Sequence, residues 1–211
     1  MEIGYSNFEL DTEIFLKNEV IGLVDKNSNF IYNRIYGINK MTYNSSYKVS
    51  TFLGINGLKK KKLSKNLKDG FGITKDIERK TLNTLSSSEL IKVLILKASL
   101  LDTNVIILNH IDAYFNERDL KDIFICLKRN KESIGKTIIF STNKVDNIIS
   151  NTNYYVITSE NRIIYNGNDI NTIKEKTHIM DFVDIANKKG AKLQYYKDAN
   201  DLLKAIYRSV R

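Results

Sequence analysis

The sequence predicts an α/β fold built around a mostly parallel β-sheet. Short apolar runs alternate with segments of helical periodicity, as in sheets whose strands are joined by helices. The clearest run, residues 105–108, has four apolar residues in succession without polar alternation. A strand of this kind is covered on both faces, which is typical of parallel strands. We therefore expect a buried sheet whose ligand-facing residues lie where such strands end.

The composition is that of a chain able to form its own core. It has 211 residues, 42% of them hydrophobic, which suffices for one domain or for one domain with an appendage. Cys126 is the only cysteine, which excludes an internal disulfide framework and a zinc site built from cysteines. With two histidines in the whole chain, His110 and His178, we predict no metal site.

No targeting or membrane-spanning segment is predicted. No run approaches the roughly 18–20 apolar residues that cross a bilayer. The polar start, residues 1–5, is unlike a signal peptide. We expect a cytoplasmic chain, with a peripheral position at the inner face of the membrane as the alternative.

The formal net charge of +9 indicates nucleic acid or an anionic lipid surface as candidate partners. The positive charge is spread along the chain, and its one dense run is residues 59–62, four lysines. We interpret this run as a solvated loop or helix face, with a contact to phosphate or lipid headgroups as the alternative.

The first half of the chain contains two clear signals. Residues 19–24 read as a buried strand followed by a turn at residues 25–29. Ser86 and Glu89 have the spacing of a capping box. They open a run, residues 90–101, that is apolar on nearly every face and therefore predicts a buried helix.

The second half continues the alternation of strands and helices. Apolar residues at i, i+3, i+4 and i+7 predict a helix through Leu120, Ile123, Phe124 and Leu127. The other predicted elements are a strand at 137–141, a helix at 145–149, a hairpin of 154–158 with 162–165, a helix at 178–188, a strand at 192–196 and a helix at 198–210.

In order and spacing, these segments resemble the nucleotide-binding subunit of an ABC transporter, a P-loop NTPase. The resemblance covers residues 1–167 and implies an ABC ATPase-like three-layer fold with an antiparallel β portion. Residues 38–80 would be a reduced helical or insert region, and residues 168–211 a C-terminal α/β appendage packed on the same domain. The matching segments are residues 22–28 (the approach to the phosphate loop), 85–89 (the signature motif), 105–110 (Walker B), 135–143 (the switch strand) and 161–167 (the closing strand).

The phosphate-loop position departs from the family. A working loop needs glycines whose amides wrap the phosphates, a lysine that reaches them and a hydroxyl for magnesium. Here Asp25, Lys26, Asn27 and Ser28 are followed by no Gly-Lys-Ser or Gly-Lys-Thr. Lys26 is a poor substitute because it precedes the turn.

The other motif positions depart as well. Ser87 and Ser88 replace the paired glycines of the signature, between Ser86 and Glu89, so that a plain helix start is the simpler interpretation. The resemblance further implies that Asn109 replaces the magnesium-associated aspartate, His110 the catalytic glutamate and Asn143 the switch histidine. The joint loss predicts no ATP hydrolysis, no catalytic residue and no cofactor; ATP and magnesium would bind only if the site worked in an unusual way.

Three tempting sites have simpler interpretations. Gly135, Lys136 and Thr137 match a fragment of a phosphate loop, but they precede a strand, whereas a phosphate loop follows one. His110 with Asp112 could be a base and its orienting carboxylate, although a hydrogen-bonded structural histidine is the favoured interpretation. Cys126 lies among apolar helix residues, which favours burial over reactivity.

Three functions are therefore considered. The first is a pseudo-ATPase that acts as a dimerising or regulatory subunit of a membrane transport complex, as a homodimer or paired with an intact ATPase subunit, and bound to a membrane permease. The second is a basic binding module on the same fold that contacts protein, nucleic acid or an anionic membrane. The third is an active ATPase with an unusual site.

Overall fold

The computed structural model describes residues 2–6, 18–25, 39–55, 57–160 and 162–209, and these form an α/β structure around one sheet. Seven strands of the described residues lie in the order β3-β1-β4-β5-β2-β6-β7. The strands are β1 Glu2–Ser6, β2 Val20–Asp25, β3 Asn39–Lys40, β4 Val105–Asn109, β5 Thr137–Thr142, β6 Tyr154–Ser159 and β7 Arg162–Gly167.

The centre of the sheet is parallel and its two sides are antiparallel. β4, β5, β2 and β6 run in one direction as neighbours. β1 pairs antiparallel with β4 and with β3, and β7 pairs antiparallel with β6. This arrangement confirms the predicted fold class, a mostly parallel sheet with an antiparallel portion.

Nine α-helices of the described residues accompany the sheet. They are α1 Val49–Leu53, α2 Leu58–Phe71, α3 Lys75–Arg79, α4 Ser87–Leu100, α5 Glu117–Arg129, α6 Lys131–Ile134, α7 Val145–Asn151, α8 His178–Lys188 and α9 Ala199–Ser209. The polar region at residues 38–80, whose structure the sequence left open, contains α1, α2 and α3.

Both faces of the central strands are buried, as the unbroken apolar runs predict. Val20 and Val24 of β2 belong to the main core cluster, which also includes residues of α4, α5 and α7. Ile21 and Leu23, which alternate with them, belong to a second cluster with residues of β4, β5 and β6. The burial of both side-chain sets explains why these strands show no polar alternation.

The predicted capping box is present at the start of α4. Ser86 Oγ accepts a hydrogen bond from the Glu89 amide at 3.3 Å, and the Glu89 carboxylate accepts one from the Ser86 amide at 2.8 Å. α4 is apolar on nearly every face because it packs among β1, β4, α1 and α2. The helix is buried, as its composition predicts.

One predicted strand, residues 192–196, is wrong. These residues form no strand, and the backbone of Leu193 pairs with a side chain at the end of α8 instead of with the sheet. The Asn187 side chain donates to the Leu193 carbonyl and accepts from the Leu193 amide, both at 2.8 Å. The two helices predicted around this segment are confirmed as α8 and α9.

Residues beyond 167 contact the core at several points. Ile173 and Met180 are buried within the main core cluster. The Lys121 ammonium of α5 forms an ion pair with Asp198 at 2.8 Å, which raises the pKa of Lys121 and lowers that of Asp198. The boundary at residue 167 between domain and extension stays a prediction.

A methyl group added at Gly70 would test how closely α2 packs on α5. A Cβ at this position would lie 3.0 Å from the Cys126 Cβ and even nearer to its Sγ. We expect Gly70→Ala to lower the free energy of unfolding by about 1–3 kcal/mol through overpacking, although alanine is the better helix former. Urea unfolding measures the change. Cys126→Ala in the same background should restore part of the loss, and a Gly70→Ala variant as stable as the wild type would contradict the close packing.

Candidate functional site

The carboxyl ends of the four parallel strands meet at one edge of the sheet, where ligands bind in folds of this class. Asp25 ends β2, Asn109 ends β4 and Thr142 ends β5. The register aligns Asn109 with Ser141, and Asp25 with Thr158 of β6. Lys26, Asn27 and Ser28, which follow β2, lie outside the described residues.

Asn109 and Ser141 form a buried polar pair between β4 and β5. The Ser141 hydroxyl donates to Asn109 Oδ1 at 2.5 Å. Asn109 is 8% exposed and Ser141 is 1% exposed, so the bond is largely shielded from water. A buried polar group left without a partner costs about 1–3 kcal/mol, and this bond therefore fixes the orientation of the amide.

His110 turns the chain away from the sheet. Its φ of 51° lies in the left-handed region, and it begins a 3₁₀ turn, Ile111–Tyr114. The His110 amide still donates to the Ser141 carbonyl at 2.8 Å, which extends the pairing with β5 by one residue. A non-glycine residue in this conformation is held there by its surroundings. The imidazole is half-buried at the edge.

Asp112 connects the end of β4 to the end of β5. Its Oδ2 accepts hydrogen bonds from Thr142 Oγ1 at 2.9 Å and from Asn147 Nδ2 at 2.7 Å. The carboxylate is 8% exposed. These two partners, Thr142 and Asn147, were missed by the sequence analysis, which considered Asp112 only as a companion of His110. The one available signal was a hydroxyl residue directly after the predicted strand 137–141.

The loop after β5 is fixed by the same network. Thr142 Oγ1 also accepts from the Lys144 amide at 3.3 Å. Asn143, at the position of the predicted switch residue, lies between them and is exposed. The structure thus brings Asn109, His110 and Asn143 to one edge of the sheet.

A cavity of about 330 Å³ adjoins this network. Asp112, Lys144 and Asn147 line it from the strand edge, and residues of the C-terminal segment line the opposite side. Its remaining lining residues are Phe115, Glu117, Leu120, Asp146, Ser150, Thr177, Ile179, Lys197, Asp198 and Ala199. Four of the lining residues are acidic and two are lysines, so the cavity has a net charge of −2 and disfavours an anion.

The segment that resembles the signature motif is the capped start of α4. Ser87 is exposed and Ser88 is half-buried at the first turn of α4. The Glu89 carboxylate also accepts from Lys80 Nζ at 3.1 Å. Hydrogen bonding to the Ser86 amide, with Lys80 as a further contributor, lowers the pKa of Glu89. The capping interpretation of these residues accounts for the contacts of Ser86 and Glu89.

The fragment at residues 135–137 is structural. Gly135, with φ 61°, caps α6, and Thr137 begins β5. Lys136 Nζ donates to the Ala98 carbonyl at 2.9 Å and to the Leu101 carbonyl, so it caps the carboxyl end of α4. Burial lowers the pKa of Lys136 to about 8.

The structure gives no support for a reactive cysteine or a metal site in the described part of the chain. Cys126 is buried, and desolvation raises the pKa of its thiol, which lowers the fraction of reactive thiolate. Within the described ranges, no group of three or more histidine, cysteine, aspartate or glutamate residues could hold a metal ion. No helix of the described part of the chain is long and apolar enough to cross a membrane.

Comparison with known proteins identifies the fold. No family model matches the sequence, and no curated protein matches it. Among solved structures, CbiO1 from Clostridium perfringens, part of the ABC transporter complex CbiONQ, aligns at a TM-score of 0.60 and 16% identity, over 89% of this chain and 96% of that one. An ATP-binding cassette of an ABC transporter in its ADP conformation aligns at 0.59 and 13% identity, over 90% and 100%.

The same fold also occurs outside transporters. A chain from the complex of an archaeal ribosomal stalk protein with an archaeal ribosome recycling factor aligns at a TM-score of 0.55 and 20% identity, over 69% of this chain and 33% of that one. At these identities the likeness establishes the fold alone: the chain has an ABC ATPase-like architecture, as its motif order predicts. A shared fold does not by itself assign an activity.

Replacing Lys136 by methionine would test its role as a helix cap. The substitution keeps the aliphatic stem and removes the donors to the Ala98 and Leu101 carbonyls. We expect Lys136→Met to lower the free energy of unfolding by about 1–3 kcal/mol in urea titrations. Lys144→Met, at an exposed lysine, is the matched control and should stay within about 0.5 kcal/mol of the wild type. Equal stability of both variants would contradict the capping role.

Proposed function

We propose that this chain is a catalytically inactive protein on the ABC ATPase-like fold that acts as a dimerising or regulatory subunit. The fold is shared with ATP-binding cassettes of ABC transporters, including part of the CbiONQ complex. A membrane transport complex is therefore the assembly that we favour for it, with an intact ATPase subunit, a second copy of this chain or a permease as its partner.

The observation that carries the proposal is the polar network at the ends of β4 and β5. P-loop NTPases need an aspartate to hold magnesium and a group that orients the attacking water. At the corresponding edge, Asn109 is a neutral amide whose Oδ1 accepts the Ser141 hydroxyl. The Asp112 carboxylate accepts from Thr142 and Asn147. Asn109 Oδ1 and Asp112 Oδ2 thus accept donors within the chain, an arrangement that does not fit a magnesium nucleotide.

The sequence at the remaining motif positions supports the same conclusion. No Gly-Lys-Ser or Gly-Lys-Thr follows Asp25, and Asn143 stands where the family has its switch histidine. One such replacement could be offset by a neighbouring group. Together they remove the phosphate-binding lysine, the magnesium ligand and the water-orienting groups.

The role in pairing rests on the start of α4. Subunits of this fold associate head to tail, with the signature segment facing the partner's nucleotide site. In this chain that segment presents Ser87, exposed, and Ser88, half-buried, on a helix turn held rigid by the capping box. Small polar side chains on a rigid turn allow a second subunit to approach closely without an added charge.

A second candidate is a basic binding module on the same fold. The observation that favours it is α2, whose four consecutive lysines at residues 59–62 are all exposed. Such a face suits nucleic acid or an anionic membrane, and binding to either would weaken steeply with salt.

Phosphate release from Mg-ATP tests the inactivity of the chain. We expect the purified protein to release no phosphate above the blank, because the motif positions lack the carboxylates and the lysine that the chemistry needs. His110→Ala is the matched control for contaminating ATPases, since a contaminant gives equal release in both preparations. Release by the wild type that His110→Ala abolishes would contradict the proposal and support an active ATPase.

Sedimentation of a charge-bearing variant tests the pairing surface. If the start of α4 faces a second copy, Ser87→Arg should shift the chain toward the monomer, because it places an uncompensated bulky charge at the interface. Ala191→Arg, in the exposed coil after α8, adds the same charge elsewhere and should sediment as the wild type does. If both arginine variants pair as well as the wild type does, the start of α4 is not the pairing surface.

A further inference from the structure

The lysine-rich helix α2 borders a second cavity, away from the strand edge, of about 430 Å³. Lys61, Ser64, Lys65 and Lys68 line it from α2 and fall at i, i+3, i+4 and i+7, so they share one helix face. The lining also includes Thr74 and Lys75 at the start of α3. The volume lies within the range of about 300–1,000 Å³ typical of small-molecule sites.

Ser64 is the unusual residue of this cavity. It is 1% exposed, and its hydroxyl has no hydrogen-bond partner among the described residues. A serine inside a helix usually returns its hydroxyl to the carbonyl four residues earlier. Ser99 donates in this way to Ile95, at 2.8 Å, and Ser150 to Asp146, at 2.5 Å. Ser64 lines the cavity, and a rotation of its side chain is needed to bring the buried hydroxyl, which has no partner among the described residues, to a ligand there.

The charges around Ser64 indicate an anion. Four lysines and the two carboxylates of Asp69 and Glu78 line the cavity, which leaves a net charge of +2. Lys68 forms an ion pair with Glu78. Lys61, Lys65 and Lys75 are exposed and make no ion pair within the described residues. Their ammonium groups are point charges suited to phosphate oxygens.

The cavity also has an apolar part. Ile73 is 7% exposed and Ile55 is half-buried, and both belong to the lining. Inorganic phosphate would leave this surface and much of the volume unused. A phosphate group joined to an organic part would bring its oxygens to the lysines and Ser64 and its carbon atoms to the two isoleucines.

We propose that the cavity between α2 and α3 binds a phosphomonoester, with Lys61, Lys65 and Lys75 neutralising the phosphate and the Ser64 hydroxyl donating to one of its oxygens. The site lies in the helical region 49–79 and uses none of the residues at the strand edge. It therefore stands whether or not the chain hydrolyses ATP.

Calorimetric titration of the full chain with phenyl phosphate tests the site. We expect binding of one molecule per chain, tighter than that of inorganic phosphate because of the apolar lining. Lys61→Gln with Lys65→Gln should weaken it at least about tenfold. Lys59→Gln with Lys62→Gln removes the same charge from lysines outside the cavity and should bind as the wild type does. No binding of phenyl phosphate, or an equal loss in both double variants, would overturn the site.

Ser64→Ala separates a ligand contact from a structural role. We expect it to weaken phenyl phosphate severalfold while leaving the melting temperature unchanged or higher, since the hydroxyl makes no bond within the described chain. Unchanged affinity would contradict the role of Ser64.

Flotation with phosphatidylcholine vesicles, with and without phosphatidic acid, identifies the source of the phosphomonoester. Binding to vesicles with phosphatidic acid that Ser64→Ala weakens assigns a lipid headgroup. Binding of phenyl phosphate without flotation assigns a soluble ligand. If both lysine double variants lose flotation equally, the chain adsorbs to the membrane through its general charge, and the proposed site is overturned.

Discussion

A polar network joins the ends of β4 and β5 at the edge of the sheet. Asn109, Ser141, Asp112 and Thr142 are all buried where the parallel strands end. Each must find a partner, because a buried polar group without one costs about 1–3 kcal/mol. They find partners in one another and in Asn147. The edge that binds ligands in folds of this class is therefore held together here by bonds between its own strands.

The same network fixes the loops that follow β4 and β5. The bond from Ser141 to Asn109 aligns the last residues of β4 and β5. His110 then turns in the left-handed conformation, which places Asp112 beneath Thr142 and Asn147. The first turn of α7 is thereby tied to the strand before it. Residues of the C-terminal segment line the same cavity as Asp112 and Asn147.

Much of the fold could be predicted from the sequence because its signals are local. Unbroken apolar runs gave the parallel strands, and the capping box of Ser86 and Glu89 gave the start of α4. The strand predicted at residues 192–196 failed because a side chain distant by a few residues, Asn187, satisfies the backbone of Leu193. Residues 38–80 resisted prediction because α2 is lysine-rich, and only Leu63, Leu67 and Phe71 reveal its buried face.

The candidate site was predictable in its positions but not in its contacts. Asn109, His110 and Asn143 could be assigned to the strand edge from motif order. The partners of Asp112 could not, because Thr142 and Asn147 lie 30 and 35 residues further along the chain and meet it only in the folded sheet. Ser64 is a similar case, since nothing in a run of lysines marks it as a buried serine whose hydroxyl has no partner among the described residues.

We propose that the groups at the ends of β4 and β5 form hydrogen bonds within the chain and do not bind a magnesium nucleotide. Calorimetric titration of the purified chain with ATP, with and without magnesium, tests it most directly. We expect no magnesium-dependent heat of binding, because Asn109 Oδ1 and Asp112 Oδ2 already accept donors within the chain. Tight binding of ATP that requires magnesium would contradict it.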